Sequence, residues 1–156
     1  MEFFFRPDEN NGYLSNWYPC IFRIDGTDFI NAEQYFMYSK ALLFKDNDMA
    51  QKILDETRPD KIKELGRKIK NFDDKEWCRY REEIMLRGLY HKFSQNIDLR
   101  NKLLSTQDKI LAEASPYDKI WGIGLSIDDP RIYNVGTWRG LNLLGKCLMI
   151  IRKQLT

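Results

Sequence analysis

Residues 21–44 read IFRIDGTDFINAEQYFMYSKALLF, and the type of structure they encode changes halfway along. Ile21–Ile24 and Thr27–Ile30 suit two short strands. The Asp25-Gly26 pair between them supplies the positive φ angles that a type I′ hairpin turn demands. Asn31 then stands at a helix-cap position, with Gln34 three residues later bearing an amide able to reach back. A helix over Ala32–Phe44 is expected to follow. A hairpin that feeds a helix points to an α+β chain.

On either side of this stretch the pattern is mostly helical. Helices are expected over 48–57, 59–69, 74–93 and 97–105, several opening with the acidic residues or proline that first turns favour. The aromatic run Phe3–Phe5 suits a short buried strand, and Ile110–Ala114 suits another. Residues 115–139 hold Gly122, Gly124, Pro130 and Gly136 among scattered aromatics, a composition for ordered loops, where function often sits. The last segment, 140–155, places Leu144, Leu148 and Ile151 at helical spacing and predicts a buried helix. No repeat, low-complexity tract or Gly/Ser linker divides the sequence, so a single domain over 1–156 is expected.

An apolar fraction of 43% with 13% aromatics is enough for a core without metal or disulfide staples. The 25 Lys and Arg are nearly cancelled by 23 Asp and Glu, leaving +2, so charge alone does not indicate a nucleic-acid partner. The basic stretch Arg58–Lys70, with Lys61, Lys63, Arg67 and Lys68, reads first as a solvated helix face. Cys20, Cys78 and Cys147 form no CxxC pair and fit reduced thiols. The start MEFFFRPDENNG lacks the basic end and apolar core of a signal peptide, and no run of about 18 apolar residues follows. A cytoplasmic protein with no membrane contact is the expectation.

Several chemistries lack their residues. His91 is the sole histidine and has no cysteine at metal-binding spacing, which argues against zinc. A Ser-His-Asp arrangement would have to use that same histidine, and there is no GxSxG. No GxxxxGK[ST] occurs, and Gly122-Ile123-Gly124 is too short for a dinucleotide fingerprint. No metal and no cofactor are therefore expected. Carboxylates and lysines near aromatics remain, and they can run acid/base or imine chemistry unaided.

Glu33 and Lys40 lie seven positions apart, within roughly 20° on one helix face, with Phe36 and Met37 between them. An apolar surrounding disfavours an ammonium, and catalysis by an amine needs this, since a free lysine is only about 0.04% neutral at pH 7. A snorkelling pair at the edge of a core fits the same spacing. Trp77, Trp121 and Trp138 have rings that stack on a base or fill a core. Glu113 and Asp118 open the Gly-rich loop that leads to Trp121, where a solvated helix face explains carboxylates less well.

These residues belong to a longer ordered set. It runs Leu14-Ser15-Asn16-Trp17, Glu33-Gln34-Tyr35-Phe36 with Lys40, Leu65-Gly66-Arg67, Trp77, Met85 and Lys92-Phe93-Ser94-Gln95-Asn96. Leu103-Leu104-Ser105-Thr106, Glu113, Asp118, Trp121-Gly122-Ile123-Gly124, Gly140-Leu141-Asn142-Leu143-Leu144-Gly145, Leu148-Met149 and Arg152 complete it. Over nearly the whole chain this order resembles the YbiA-like, or NADAR, family. Two positions differ: many members carry His where this chain has Gln34, and many read Trp-Gly-Asp-Gly where it has Ile123.

The resemblance implies a YbiA-like domain and an N-glycosidase that breaks a ribosyl C1–N bond without cofactor or metal. Two substrate classes come with it: ADP-ribose on modified guanine, including ADP-ribosylated DNA or RNA, and phosphorylated ribosylamino-pyrimidine intermediates of riboflavin synthesis. Lys40 would attack C1 and form a transient imine while Glu33 or Asp118 moves protons; alternatively a carboxylate activates water and Lys40 contacts the substrate's anion. Trp77 or Trp121 would stack on the base, with Arg67 or Lys92 near phosphate. Asn16, Tyr35, Asn96, Glu113, Gly122 and Asn142 complete the implied binding set. A module that binds ADP-ribosyl groups without cleaving them is the non-enzymatic alternative.

Overall fold

The computed structural model describes residues 1–156. Its architecture is α+β and predominantly helical, with six α-helices, one antiparallel strand pair and one parallel pair. Two compact units share the chain: Pro19–Asn96, and Met1–Tyr18 together with Ile97–Thr156.

In the Pro19–Asn96 unit, strand β2 (Phe22–Ile24) pairs antiparallel with β3 (Thr27–Phe29), in register Phe22↔Phe29, Arg23↔Asp28 and Ile24↔Thr27. Asp25 (φ 49°) and Gly26 (φ 80°) turn the chain between them with both φ angles positive, as a type I′ turn requires. Helix α1 (Ala32–Leu43) starts at Asn31, whose Oδ1 accepts the Gln34 N–H at 2.8 Å. The Gln34 side chain does reach back, but its Oε1 accepts from Ile30 N (3.0 Å), one residue before the cap. Its amide nitrogen donates to the carbonyls of Ile53, Leu54 and Glu56, each at 3.2 Å.

Helix α2 (Asn47–Asp55) therefore stops two residues before the expected Thr57, because the Gln34 amide takes its last carbonyls. Helix α3 (Pro59–Gly66) opens on proline and also ends early. The Lys70 N–H that a helix through Ile69 would leave available is held by Asp46 Oδ2 at 2.9 Å, and Asp46 Oδ1 caps α2. Helix α4 (Asp74–Gln95) buries Met85, Gly88, Leu89, Lys92 and Phe93 along one stripe. α1 packs against α2, α3 and α4, and its buried face runs from Ala32 to Met37, then Ala41.

In the other unit, β1 (Glu2–Phe4) pairs in parallel with β4 (Leu111–Glu113), Phe3 opposite Ala112. Phe4 alone of the N-terminal aromatic run is fully buried, because successive side chains point to opposite faces of a strand. Helix α5 (Ile97–Ser105) has the expected bounds. Helix α6 (Leu143–Gln154) begins three residues later than expected. Asn142 sits in the left-handed region (φ 53°), and the N–H groups of residues 141–144 bond to the carbonyls of Lys119, Gly122, Ile120 and Trp121. Residues 115–139 form ordered loops with two short 3-10 turns, Pro130–Tyr133 and Val135–Thr137. They pack Ile123, Leu125 and Ile132 into a cluster with Ala112, Ala114, Phe3 and Trp138. No helix is long and apolar enough to cross a membrane.

Candidate active site

The Asn31 cap sets the phase of α1, so that Glu33 in its first turn and Lys40 in its last rise on the same side, with buried Phe36 and Met37 between them. Glu33 is buried, only 8% exposed. Lys40 is half-buried and donates from Nζ to the Gly66 carbonyl at 3.0 Å. A side chain at Gly66 would run into Met37 Sδ, so the glycine lets the end of α3 pack closely on α1. Two rings flank the same nitrogen, Phe72 with its centroid at 4.7 Å and Trp77 at 5.5 Å.

The start of α4 explains both rings. Asp73 caps the helix through the Glu76 N–H (2.9 Å), with Phe72 just before the cap and Trp77 at the fourth helical position. Those are the two positions of a hydrophobic staple. Trp77 is buried against Phe36 (5.1 Å between centroids), whereas Phe72 packs edge-on to Phe44 and stays 46% exposed.

Burial is the largest influence on Lys40 and lowers its pKa below the ordinary 10.5; the Glu33 carboxylate opposes this, and the Arg67 guanidinium adds to it. Arg67 is exposed at the end of α3. The arrangement provides an amine more easily deprotonated than a free lysine, with a buried carboxylate along the same face and a solvent-facing cation beside it. Groups of these three kinds can serve as nucleophile, proton carrier and anion contact.

Other expected residues of this unit are deeper. Tyr35 (4% exposed) packs edge-on against Phe29 at 5.4 Å and against Phe22 at 6.1 Å, with its hydroxyl bonded to Ser39. Burial pushes its phenol pKa up. Lys92 is completely buried, its Nζ 5.0 Å from the Phe93 ring centroid. Desolvation brings its pKa down to about 8, with the Cys20 thiol as the smaller opposing influence. Asn96 ends α4 and donates its amide to the carbonyls of Ile21 (3.1 Å) and Lys92 (2.8 Å).

The remaining expected residues lie in the other unit. Asn142 is buried and joins two elements, donating to the Leu111 carbonyl (2.9 Å) and accepting the Glu113 N–H (3.2 Å). Glu113 ends β4. Asp118 Oδ1 accepts the N–H groups of Ile120 (2.9 Å) and Trp121 (2.8 Å), folding its carboxylate back onto its own loop. Gly122 lies where a side chain would meet the Asp118 carbonyl at 2.9 Å and the Glu113 carbonyl at 3.1 Å. Trp121 is half-buried, Asn16 is 9% exposed, and Trp138 Nε1 donates to the Ile132 carbonyl beside the apolar cluster.

The structure thus gathers Lys40, Glu33, Arg67 and Trp77 around one amine and places Tyr35 in packed core. It adds Phe72, which sequence periodicity passed over because it lies between helices. The D-x-x-E cap with an aromatic on each side, residues 72–77, was the signal available for it.

The model of the NADAR domain matches residues 3–156. "N-glycosidase R617" of Acanthamoeba polyphaga mimivirus is 44% identical over 146 residues, 90% of this chain and 86% of that protein. "Riboflavin biosynthesis protein VVA0006" of Vibrio vulnificus is 33% identical over 98% of this chain, which spans only 38% of that longer protein. The NMR structure of the E. coli protein YbiA superposes with a TM-score of 0.81 at 29% identity, covering 99% of this chain and 83% of that one. With a family match over almost its whole length, the chain belongs to the NADAR domain family.

Proposed function

We propose that this chain is an N-glycosidase that hydrolyses a ribosyl C1–N bond, removing ADP-ribose from modified guanine in nucleic acid or nucleotide, with Lys40 as nucleophile. One observation carries the reading: a lysine held in an apolar, ring-lined setting, its amine made easier to deprotonate by burial, on the same helix face as a buried glutamate. Family membership supports the class, a hydrolase acting on N-glycosyl compounds, since mimivirus R617 is named an N-glycosidase.

In this mechanism the neutral Lys40 amine attacks ribose C1 as the C1–N bond to the base breaks, and the Glu33 carboxylate takes a proton from the Lys40 nitrogen and passes it to the leaving base nitrogen. The C1–O bond of the ring opens as its oxygen takes up a proton, leaving an imine between C1 and Nζ. Water adds to that imine and releases the sugar and the amine. Arg67, exposed beside the amine, is the contact for phosphate, and the Trp77 and Phe72 rings exclude water. Asp118, whose Oδ1 already accepts two backbone N–H groups, is assigned to holding its loop.

A second reading keeps Lys40 as a cation. The Gly66 carbonyl at 3.0 Å is a partner for an ammonium, and Glu33 would then activate water against C1. For the substrate, the relative named a riboflavin biosynthesis protein favours the ribosylamino-pyrimidine phosphate as the alternative. Both questions are met by incubating wild type and Lys40→Ala with a guanine-ADP-ribosylated oligonucleotide and, in parallel, with the pyrimidine phosphate, following released sugar by mass spectrometry. Release from the oligonucleotide, lost in the variant, is the expected result. Release from the pyrimidine alone moves the substrate to the second class, and release from neither leaves a binding module. Borohydride reduction during turnover should leave a sugar adduct on Lys40; turnover without adduct selects the carboxylate route.

A further inference from the structure

The Gly-rich loops of residues 115–141 display a surface that the site above does not use. Tyr117 stands out from its loop, 86% exposed, held there by an ST-type turn in which Ser115 Oγ accepts its N–H at 3.3 Å. Ile120 and Leu141 are also exposed, at 42% and 52%. The Leu141 N–H bonds to the Lys119 carbonyl at 2.8 Å, and a side chain at Gly140 would meet Lys119 Cα at 2.9 Å. Lys119 and the residue pair Arg139-Gly140 are therefore neighbours, and Arg139 itself lies against Gly124.

Lys119 and Arg139 are exposed, and no ion pair joins either to a carboxylate. Asp118, between Tyr117 and Lys119, is half-buried, and its Oδ1 accepts the Ile120 and Trp121 N–H groups. Asp129 feels the Arg139 charge, but its two oxygens are bound by Arg131, Oδ1 at 3.0 Å and Oδ2 at 2.6 Å, so that pair is neutral as a unit. An open aromatic ring, two apolar side chains and two exposed cations without an ion-pair contact are gathered here.

We propose that Tyr117, Lys119, Ile120, Arg139 and Leu141 form a docking surface for single-stranded nucleic acid. The two cations are suited to successive phosphates, and the tyrosine ring offers a platform for one base. Every base has a π-face, so such a platform tolerates any sequence, and cations of this kind make affinity depend on salt. An anionic peptide would meet the same cations but has no stacking surface for Tyr117. The inference deepens the function proposed above and rests on it only where a modified oligonucleotide is the substrate.

The test uses the full chain and a fluorescein-labelled, unmodified oligothymidylate of about 12 nucleotides, within the range of single-strand site sizes. Binding is read by anisotropy between 50 and 200 mM salt. Lys119→Ala/Arg139→Ala should flatten the plot of log K against log salt by about 1.4, from two phosphate contacts at about 0.7 each, a difference of about sevenfold across that range. Tyr117→Ala should weaken binding about fivefold or more at every salt concentration with the slope unchanged, and Tyr117→Phe should restore it. All variants should keep wild-type turnover of ADP-ribosylated guanosine as a mononucleoside and wild-type melting temperature, since none of these side chains is buried. Wild type that fails to bind at 50 mM salt, variants that bind like wild type, or a polyglutamate peptide competing as well as the oligonucleotide at equal charge would overturn the proposal. If neither the guanine-ADP-ribosylated oligonucleotide nor the pyrimidine phosphate is cleaved while the salt and tyrosine effects hold, the glycosidase reading fails and the docking surface stands.

Discussion

At the scale of single residues, two lysines feel the same physics and lead to different predictions. Lys40 is half-buried, hydrogen-bonded to the Gly66 carbonyl and flanked by Phe72 and Trp77, with its pKa lowered chiefly by burial. As a nucleophile it works as the neutral amine, so kcat/KM should rise with pH through an ionisation below the ordinary 10.5. Lys40→Arg should abolish that limb and cost about a hundredfold or more in kcat, because a guanidinium stays charged throughout. A variant that keeps the rising limb would show that another group titrates.

Lys92 is completely buried and titrates near 8 in the folded chain against 10.5 for the free side chain. Between those values the unfolded chain binds the proton that the folded one has lost, so stability rises with pH from about 8 to 10.5 and is lower at neutral pH. The depression corresponds to about 3 kcal/mol. Urea unfolding of Lys92→Met at pH 7 and at pH 10.5 should lack this rise. An unchanged pH dependence would mean that Lys92 is not the group responsible.

At the scale of elements, Asn142 connects β4 to the start of α6. Its amide spans the Leu111 carbonyl and the Glu113 N–H from a left-handed backbone, and Gly145 leaves room for it, since a side chain there would run into the Leu111 carbonyl. Asn142→Ala should destabilise by about 1–3 kcal/mol for the unsatisfied partners, with about 1 kcal/mol more for an alanine at positive φ. Asn142→Gly should recover only the backbone part, a comparison readable from urea midpoints at constant slope. Equal losses in the two variants would place the whole effect in the amide.

This element was legible in the sequence only in part. The spacing of Leu144, Leu148 and Ile151 predicted α6, but its first turn is set by loop carbonyls of residues 119–122, which no local pattern reveals. The hairpin and the α1 cap were readable because Asp25-Gly26 and Asn31 act on their immediate neighbours. α2 and α3 end early because of Gln34 and Asp46, bonds that reach 19 to 24 residues along the chain. The site divides in the same way: Glu33 and Lys40 followed from helix geometry, whereas Phe72 and the Gly66 carbonyl required the packing of α3 and α4 against α1. Gln34 and Ile123 have local reasons, one holding the last carbonyls of α2 and the other fully buried in the apolar cluster.

At the scale of the whole molecule, the chain passes between its two units at Tyr18–Pro19 and again at Asn96–Ile97, so one unit is an insertion within the other. Residues 2–4 of the outer unit pair in parallel with residues 111–113 across that insertion. Each unit holds half of the 156 residues, close to the size below which a core alone rarely supplies more than about 3–5 kcal/mol. Cutting the ends of the insertion loose would cost the outer unit the closure of a long loop, and that cost grows only slowly with length. We therefore expect the chain to unfold as one domain. Native-state hydrogen exchange in rising urea should bring the most protected amides of α1, in one unit, and of α6, in the other, to the same global free energy. Two separate limiting values, with α6 opening at lower urea than α1, would show that the halves fold independently, and the slope of each branch would report how much surface each half exposes.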